Sequence, residues 1–484
     1  MSLSLEHISS LSSQVGFFRF GTMKNGDYLI TNDVGQYAFL TPIEFTAFLT
    51  GTLAWEKKIE LTGKLFYKTP EYEEKMVSLY NEKNRFLAYG PTLHMIVTTL
   101  RCNHKCEYCH AAVAPMTAKN LDMTQETAQK VVDTIFYTSA PGLTIEFQGG
   151  ESLVNWEVVQ FIVEYARMKA EVLQKDLTFA LVSNLSLMTE EKLTWLLDHG
   201  VSICTSLDGD RLTHNSQRIW KEGDSYEKTT YWIKRINAEM KKRGASEKYS
   251  IGALSTWTRE GLGNYEKIID TYVDLWLDTI GFRWLNPYGF AAAEVKKMAY
   301  TPAEFLEFFT RGMDYILEVN KKWYKLKEMI SLVYLAKILL NRDGGFMDIR
   351  SPSGIAIGGV AYNYDGKVYA SDESRMLGRM GIEDFLMTPL LATGEETYRA
   401  MANSEVTKIA VQSSTLDGLP GYNEHVYKPY LGSDIIYNFT QYENPYSIFS
   451  KDEKNKMQVY MLDYLFEKLR DPENEKIFRS WFEG

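Results

Sequence analysis

Three of the chain's four cysteines stand in one stretch, Thr99-Leu100-Arg101-Cys102-Asn103-His104-Lys105-Cys106-Glu107-Tyr108-Cys109-His110. A disulfide framework would scatter its cysteines, so this clustering points to a bound group. Three chemistries compete. Cys106-Glu107-Tyr108-Cys109-His110 fits the C-x-x-C-H attachment of a c-type haem, which needs an oxidising compartment and leaves Cys102 without a role. Three thiolates with His104 or His110 could hold a structural zinc, although zinc sites usually draw ligand pairs from two places. The spacing would also wrap one loop round three corners of a [4Fe-4S] cube. A full ligand set is four cysteines, so the fourth iron would stay open to an exchangeable ligand.

Further on, Phe147-Gln148-Gly149-Gly150-Glu151 joins glycines, which let backbone carbonyls approach a ligand, to a carboxylate that could face an ammonium. The plain alternative is a strand-to-helix turn. Val182-Ser183-Asn184 offers a hydroxyl and an amide, or simply an Asx turn or helix cap. Thr205-Ser206-Leu207-Asp208-Gly209-Asp210 leads to His214 and Arg218. The guanidinium is a fork-shaped donor suited to a carboxylate, and Asp208 reads as a turn residue. Cys204, among apolar neighbours, reads as a small buried core thiol.

The elements that must position these residues follow from the hydrophobic pattern. Residues 17–34 alternate apolar and polar around Asn25-Gly26, a hairpin signal, and the run QYAFL makes a further strand. Thr41 and Pro42 open a short helix as cap and first residue. From residue 94 strands and helices alternate: LHMIVTTL, LTIEFQ, LTFALVS, VSICTSL, YSIGAL and TIGFRWL are the strands, and Thr124 caps the helix after the first of them. Six β/α repeats imply a parallel sheet and are too few to close an eight-fold barrel. The cysteines follow the first strand, where such folds carry their catalytic loops. Residues 302–342 read as helical and 343–484 as irregular, with a helix near KDEKNKMQVYMLDYLFEKLRD.

C-x3-C-x-aromatic-C at the end of the first strand resembles the signature of the radical S-adenosylmethionine (SAM) superfamily, and the Gly-Gly-Glu, Ser-Asn and SLDGD–His–Arg stretches follow in that family's order. The resemblance implies an α/β fold: a partial (β/α)6 radical SAM barrel over residues 91–300. It is preceded by a β-rich, winged-helix-like, leader-peptide-binding unit (1–90). A helical linker (301–342) and a SPASM-like region (343–484) follow. It implies one [4Fe-4S] cluster on Cys102, Cys106 and Cys109, and SAM held by Tyr108, Gln148, Gly149, Gly150, Glu151, Ser183, Asn184, Ser206 and Arg218. In that family Gly-Gly-Glu meets the amino group of SAM and the arginine its carboxylate. The chain is also similar to the His-Xaa-Ser system radical SAM maturases of the HxsB type. The stretches FRF, ITNDVGQYAFL, RWLNPYGFA, DGKVYASDESRML and LPGYNEHVYKPYLG carry that likeness.

That resemblance implies an oxidoreductase that modifies, by cross-linking, a ribosomally made precursor peptide. A second radical SAM protein and an electron donor such as flavodoxin or ferredoxin would be its partners. A sulfatase-type protein substrate, or a degenerate partner that only binds leader peptide, are the alternatives. The relatives' auxiliary-cluster cysteines are replaced here by Ser353, Ser371, Ser413 or Ser414, Tyr422, His425 and Leu431, so a single cluster is expected. Asp372, after the lost position at Ser371, is the candidate general base; the run DESR could equally be a solvated surface network.

Composition excludes other classes. A net charge of -10 argues against a nucleic-acid or anionic-membrane partner. The N-terminus lacks a basic start followed by an apolar run, and no stretch of about 18 apolar residues is present. A cytoplasmic protein is expected.

Overall fold

The computed structural model describes residues 13–244, 251–286, 288 and 298–483. Part of the strand YSIGAL and of the stretch RWLNPYGFA therefore lies outside the described residues.

The N-terminal alternation folds as an antiparallel sheet of β1 (Arg19–Thr22), β2 (Tyr28–Thr31) and β3 (Tyr37–Leu40), in that order. Gly26, at φ 87°, supplies the left-handed turn between the first two. Thr41 caps the helix Pro42–Thr50 in a reciprocal capping box with Glu44. Ile30, Leu40, Phe48, Leu61 and Phe66 form this unit's own core.

The main sheet follows from the β/α alternation. Its strands are β4 (Leu93–Thr99), β6 (Gly142–Gly149), β7 (Asp176–Val182), β8 (Val201–Ser206) and β10 (Gly252–Leu254), parallel and adjacent in the order β10-β8-β7-β6-β4. A short ribbon pairs β5 (His104–Cys106) with β9 (Arg218–Trp220) antiparallel. Helices Gln125–Ile135, Trp156–Leu173 and Glu190–Asp198 carry the crossovers, and Thr124 caps the first of them. Side chains alternate across the sheet. Ile145, Phe147, Phe179, Leu181 and Ile203 are buried in the main core. Glu146, Gln148, Cys204 and Ser206 alternate with them and stay partly open. Cys204 thus sits on the half-open face and not in the apolar core.

The expected sixth strand departs from the pattern. Only β11 (Thr279–Ile280) is extended, and it pairs with β12 (Lys327–Glu328), outside the main sheet. The buried carboxylate of Glu328 accepts the amide of Phe282 at 2.8 Å, taking a donor that a strand ladder would use. The Oγ of Ser255 and the indole of Trp257 tie Gly281 to the end of β10 instead.

On the other edge, β13 (Gly359–Tyr362) lies parallel to β4, and β14 (Lys367–Tyr369) and β15 (Leu386–Pro389) extend it antiparallel. Residues 343–484 are more regular than their sequence reads. They hold helices Asp372–Arg379, Gly394–Ala402, Glu405–Ser414, Ile435–Tyr442, Glu453–Lys468 and Pro472–Ser480. Most are too short to show several turns of periodicity, but each is capped by a Ser, Thr or Asp side chain.

Candidate active site

The cysteine loop leaves the end of β4 and is pinned before its first thiol. The hydroxyl of Thr99 and the Nε of Arg101 both donate to Asp122 Oδ1, at 2.6 and 2.8 Å. The amide of Cys102 donates to Ala114, and Cys106 lies opposite Arg218 in the β5–β9 ribbon. Donors already face the sulfurs: the His104 amide lies 3.4 Å and Asn184 Nδ2 3.9 Å from Cys102 Sγ, and Arg218 Nη1 lies 4.0 Å from Cys106 Sγ. Burial pushes all three thiols up, that of Cys106 to about 12. Such thiols become thiolates only against a compensating positive centre, which an iron–sulfur cluster supplies. Among the described residues no trio of His, Cys, Asp or Glu is drawn to single-ion distance; thiolates at separate corners of a cube need not be. Both ring nitrogens of His104 are engaged, by Asn103 and Ser225, so it is not free as a zinc ligand.

Gly149 and Gly150 run against this loop. Gly150 donates to Thr99 O, and Glu151 N to Arg101 O at 2.8 Å. A Cβ on Gly150 would stand 2.3 Å from Arg101 O, so only glycine allows this approach. Glu151 is 1% exposed. Its carboxylate accepts from Ser183 Oγ (2.8 Å), Asn184 N (2.8 Å) and Leu153 N (3.1 Å). Burial raises its pKa and these three donors pull against the rise. A carboxylate has roughly four lone-pair sites, so little remains for an ammonium. Glu151 braces the loops after β6 and β7. Asn184 forms the Asx turn, accepting from Ser186 N, while its amide reaches Asn103 and Cys102.

Asp208 is much more than a turn residue. It is 1% exposed and accepts four hydrogen bonds: from Tyr108 Oη (2.5 Å), Arg218 Nε (2.9 Å), Arg218 Nη2 (3.3 Å) and Thr256 N (3.0 Å). Burial would lower the Arg218 guanidinium, but the Asp208 charge outweighs it and leaves it raised. Two of Arg218's three nitrogens are thus committed inside the protein, and Nη1 alone points at a cysteine. Its expected partnership with a ligand carboxylate is not preformed. Asp208 N–H also donates to His214 Nδ1, and His214 Nε2 lies 2.9 Å from Ser225 Oγ, itself 3.0 Å from His104 Nε2. This buried chain ties the cysteine loop to the Asp208–Arg218 pair. Sequence reading missed Asp208 and Ser225; the motif order around Asp208 was the only signal.

Gln148 bonds to Glu146 on the half-open face, which Ser206 shares. Asp372 is not a solvated surface residue: it is 9% exposed, and Arg375, 1% exposed, donates to its Oδ1 at 2.8 Å. The Asp372 charge reaches His110 and Glu146, and that of Arg375 reaches Cys109. Of the positions expected to replace auxiliary cysteines, the structure joins Ser353 and Ser414, whose amide and hydroxyl bond at 2.8 Å. Ser371 caps the helix Asp372–Arg379, and Tyr422 bonds to Ser447 and Asp452.

Residues 96–261, which hold the cysteine loop and most of the parallel strands, match the family model described as the Radical SAM superfamily. Over 172 residues, 30% of this chain, the sequence is 24% identical to the radical SAM cyclopropyl synthase TigE of Paramaledivibacter caminithermalis, spanning 36% of that protein. An uncharacterized protein of Methanocaldococcus jannaschii is 24% identical over 40% of this chain and 63% of its own length. The matches thus span less than two thirds of these curated relatives. Among solved structures, anSMEcpe with bound AdoMet superposes with a TM-score of 0.62 at 16% identity, over 79% of this chain and 100% of that one. Streptococcus suis SuiB bound to its precursor peptide SuiA gives 0.51 at 12% identity, over 89% and 98%. At these identities the likeness is one of fold. No helix among the described residues is long and apolar enough to cross a membrane.

Proposed function

We propose that the protein is a radical SAM oxidoreductase that modifies a ribosomally made precursor peptide. The observation that carries the reading is the three-thiol loop packed against Gly149-Gly150, with N–H donors aimed at the sulfurs of Cys102 and Cys106. Cys102, Cys106 and Cys109 would hold one [4Fe-4S] cluster. SAM would lie along Gly149-Gly150, Ser183-Asn184, Ser206 and Gln148, near Tyr108. Once bound, the cluster and SAM would supply one-electron reductive cleavage of the sulfonium, with loss of methionine, and so radical hydrogen abstraction from a substrate. The chain's own part is positional. Glu151 and Asp208 lock the loops, Arg218 Nη1 keeps positive charge beside Cys106, and the buried side chains around the thiols exclude water. Asp372, oriented by Arg375, stands as candidate base for a substrate proton.

A peptide substrate is supported by the fold likeness to SuiB, which was solved bound to a precursor peptide, and a His-Xaa-Ser type of maturation, with a second radical SAM protein and a flavodoxin or ferredoxin donor, by the motifs quoted above. The reconstituted protein with reductant and SAM should carry roughly four irons per chain and release 5′-deoxyadenosine, and Cys106→Ala should do neither. Mass spectrometry of a co-expressed precursor peptide reads the modification. Absence of 5′-deoxyadenosine refutes the reading; roughly eight irons refutes the single cluster.

A further inference from the structure

At a cavity of about 40 Å³ that no cysteine lines, the N-terminal unit meets the C-terminal region; its lining includes Asp33, Lys83, Lys337, Arg350, Asp417 and Lys428. One water needs roughly 10–15 Å³, so the space fits a small oxyanion and excludes a nucleotide or a peptide backbone.

The cations there outnumber their partners. Lys428 pairs with Asp417 at 2.5 Å and lies 3.7 Å from Asp33, and Arg350 pairs with Asp343. Those pairings commit all three carboxylates of the cavity. Among the described residues, Lys83 Nζ has only the Pro429 carbonyl (2.7 Å) and the Tyr430 ring. Among the described residues, Lys337, 5% exposed, has only the carbonyls of Ile349 and Tyr430. Neither lysine has a carboxylate within ion-pair distance among the described residues. Burial pushes Lys337 down to about 7, and burial with repulsion from Lys337 and Lys428 drives Lys83 well below its usual value. Arg350 Nε is buried with no acceptor. An ammonium carries three donors, so two remain on Lys83 and one on Lys337, with Arg350 Nε beside them. Burying positive charge without a counter-ion is costly, and a bound anion removes that cost.

We propose that this cavity is an oxyanion site in which Lys83, Lys337 and Arg350 hold one carboxylate or phosphate, clamping the helix Tyr72–Lys83 to the helix Met329–Leu339 and to the Lys428 loop. The anion could be an acidic side chain of a bound peptide or a free phosphate, and the two sources can be told apart. Titration calorimetry on the full chain, without iron, uses inorganic phosphate, tetraglutamate and tetraglutamine as probes. Phosphate or tetraglutamate should bind with a dissociation constant on the order of millimolar or tighter, and tetraglutamine should not. Binding of phosphate alone identifies a free anion; binding of tetraglutamate identifies an acidic side chain. Lys83→Met and Lys337→Met should each weaken binding about tenfold, and Lys83→Arg should keep most of it. Should Lys337→Met fail to fold, the less deeply buried Lys83 carries the test: phosphate or tetraglutamate should raise the melting temperature of the parent and not that of Lys83→Met. No binding of either anion, or equal binding by Lys83→Met, overturns the proposal.

Discussion

Replacing Asp208 by Asn removes one charge and changes almost no volume, which isolates the electrostatic role of the residue. Oδ2 accepts from Tyr108 and from Arg218 Nε, and Oδ1 from Thr256 N and Arg218 Nη2. Whichever oxygen becomes an NH2 group, two donors then face a donor. Arg218, 8% exposed, is also left without its counter-charge. Breaking a buried pair from one side costs about 3–5 kcal/mol. Removing both charges, as in Asp208→Asn with Arg218→Met, costs less than the sum, because no buried charge is stranded. The coupling should be about 2 kcal/mol or more. Equilibrium urea denaturation of the iron-free chain, followed by tryptophan fluorescence, measures all four corners of the cycle. A single variant within about 0.5 kcal/mol of the parent, or strictly additive losses, would refute the argument that this pair is a mutual buried anchor.

Gly150→Ala should cost about 1–3 kcal/mol and lower the iron retained on reconstitution, because the added Cβ meets Arg101 O at 2.3 Å and Leu100 C at 2.7 Å, both backbone atoms that cannot rotate away; iron content equal to the parent's contradicts the close-approach role. His94 is fully buried, its Nε2 lies 3.1 Å from Pro91 O, and burial pushes it down to about 3. Below about pH 6.5 the unfolded chain takes up a proton that the folded one refuses, so this stability is complete above pH 6.5 and is lost as pH falls toward 3. The parent should lose about 1.4 kcal/mol per pH unit from this residue across that window, and His94→Gln should show a correspondingly shallower urea midpoint against pH; parallel profiles would show that His94 is not the titrating group.

Long-range order was legible where the sequence repeats itself. The β4, β6, β7 and β8 strands are apolar or alternating runs bounded by turns, and two of the three helices between them carry a threonine cap, Thr124 and Thr189. The site was legible as a set of loops, because Cys102, Gly150, Ser183 and Asp208 each follow the end of a parallel strand. Partnership was not legible. Arg218 reads as a ligand-facing fork because nothing near it in sequence reveals that Asp208 and Tyr108 fold back onto it. The sixth strand failed for a similar reason: Glu328, some 46 residues away, claims the amide of Phe282. In residues 343–484 the caps were present, but helices of eight to ten residues with little periodicity leave no pattern to recognise.

The two buried acids change what the motif residues mean. Glu151 draws in the loops after β6 and β7, and Asp208 draws in those after β4, β8 and β10 through Tyr108, Arg218 and Thr256. Between them they fix every loop at the carboxyl edge of the five-stranded parallel run, the edge on which such folds do their chemistry. A carboxylate committed in this way has few lone pairs left for a ligand. On the proposed reading an exchangeable ligand would be left with what the brace exposes: the backbone at Gly149-Gly150, Ser206, and Arg218 Nη1 beside Cys106. On this argument the acids set the precision of the site and the glycines its shape, so a loss of either acid should loosen the cysteine loop before it alters ligand chemistry.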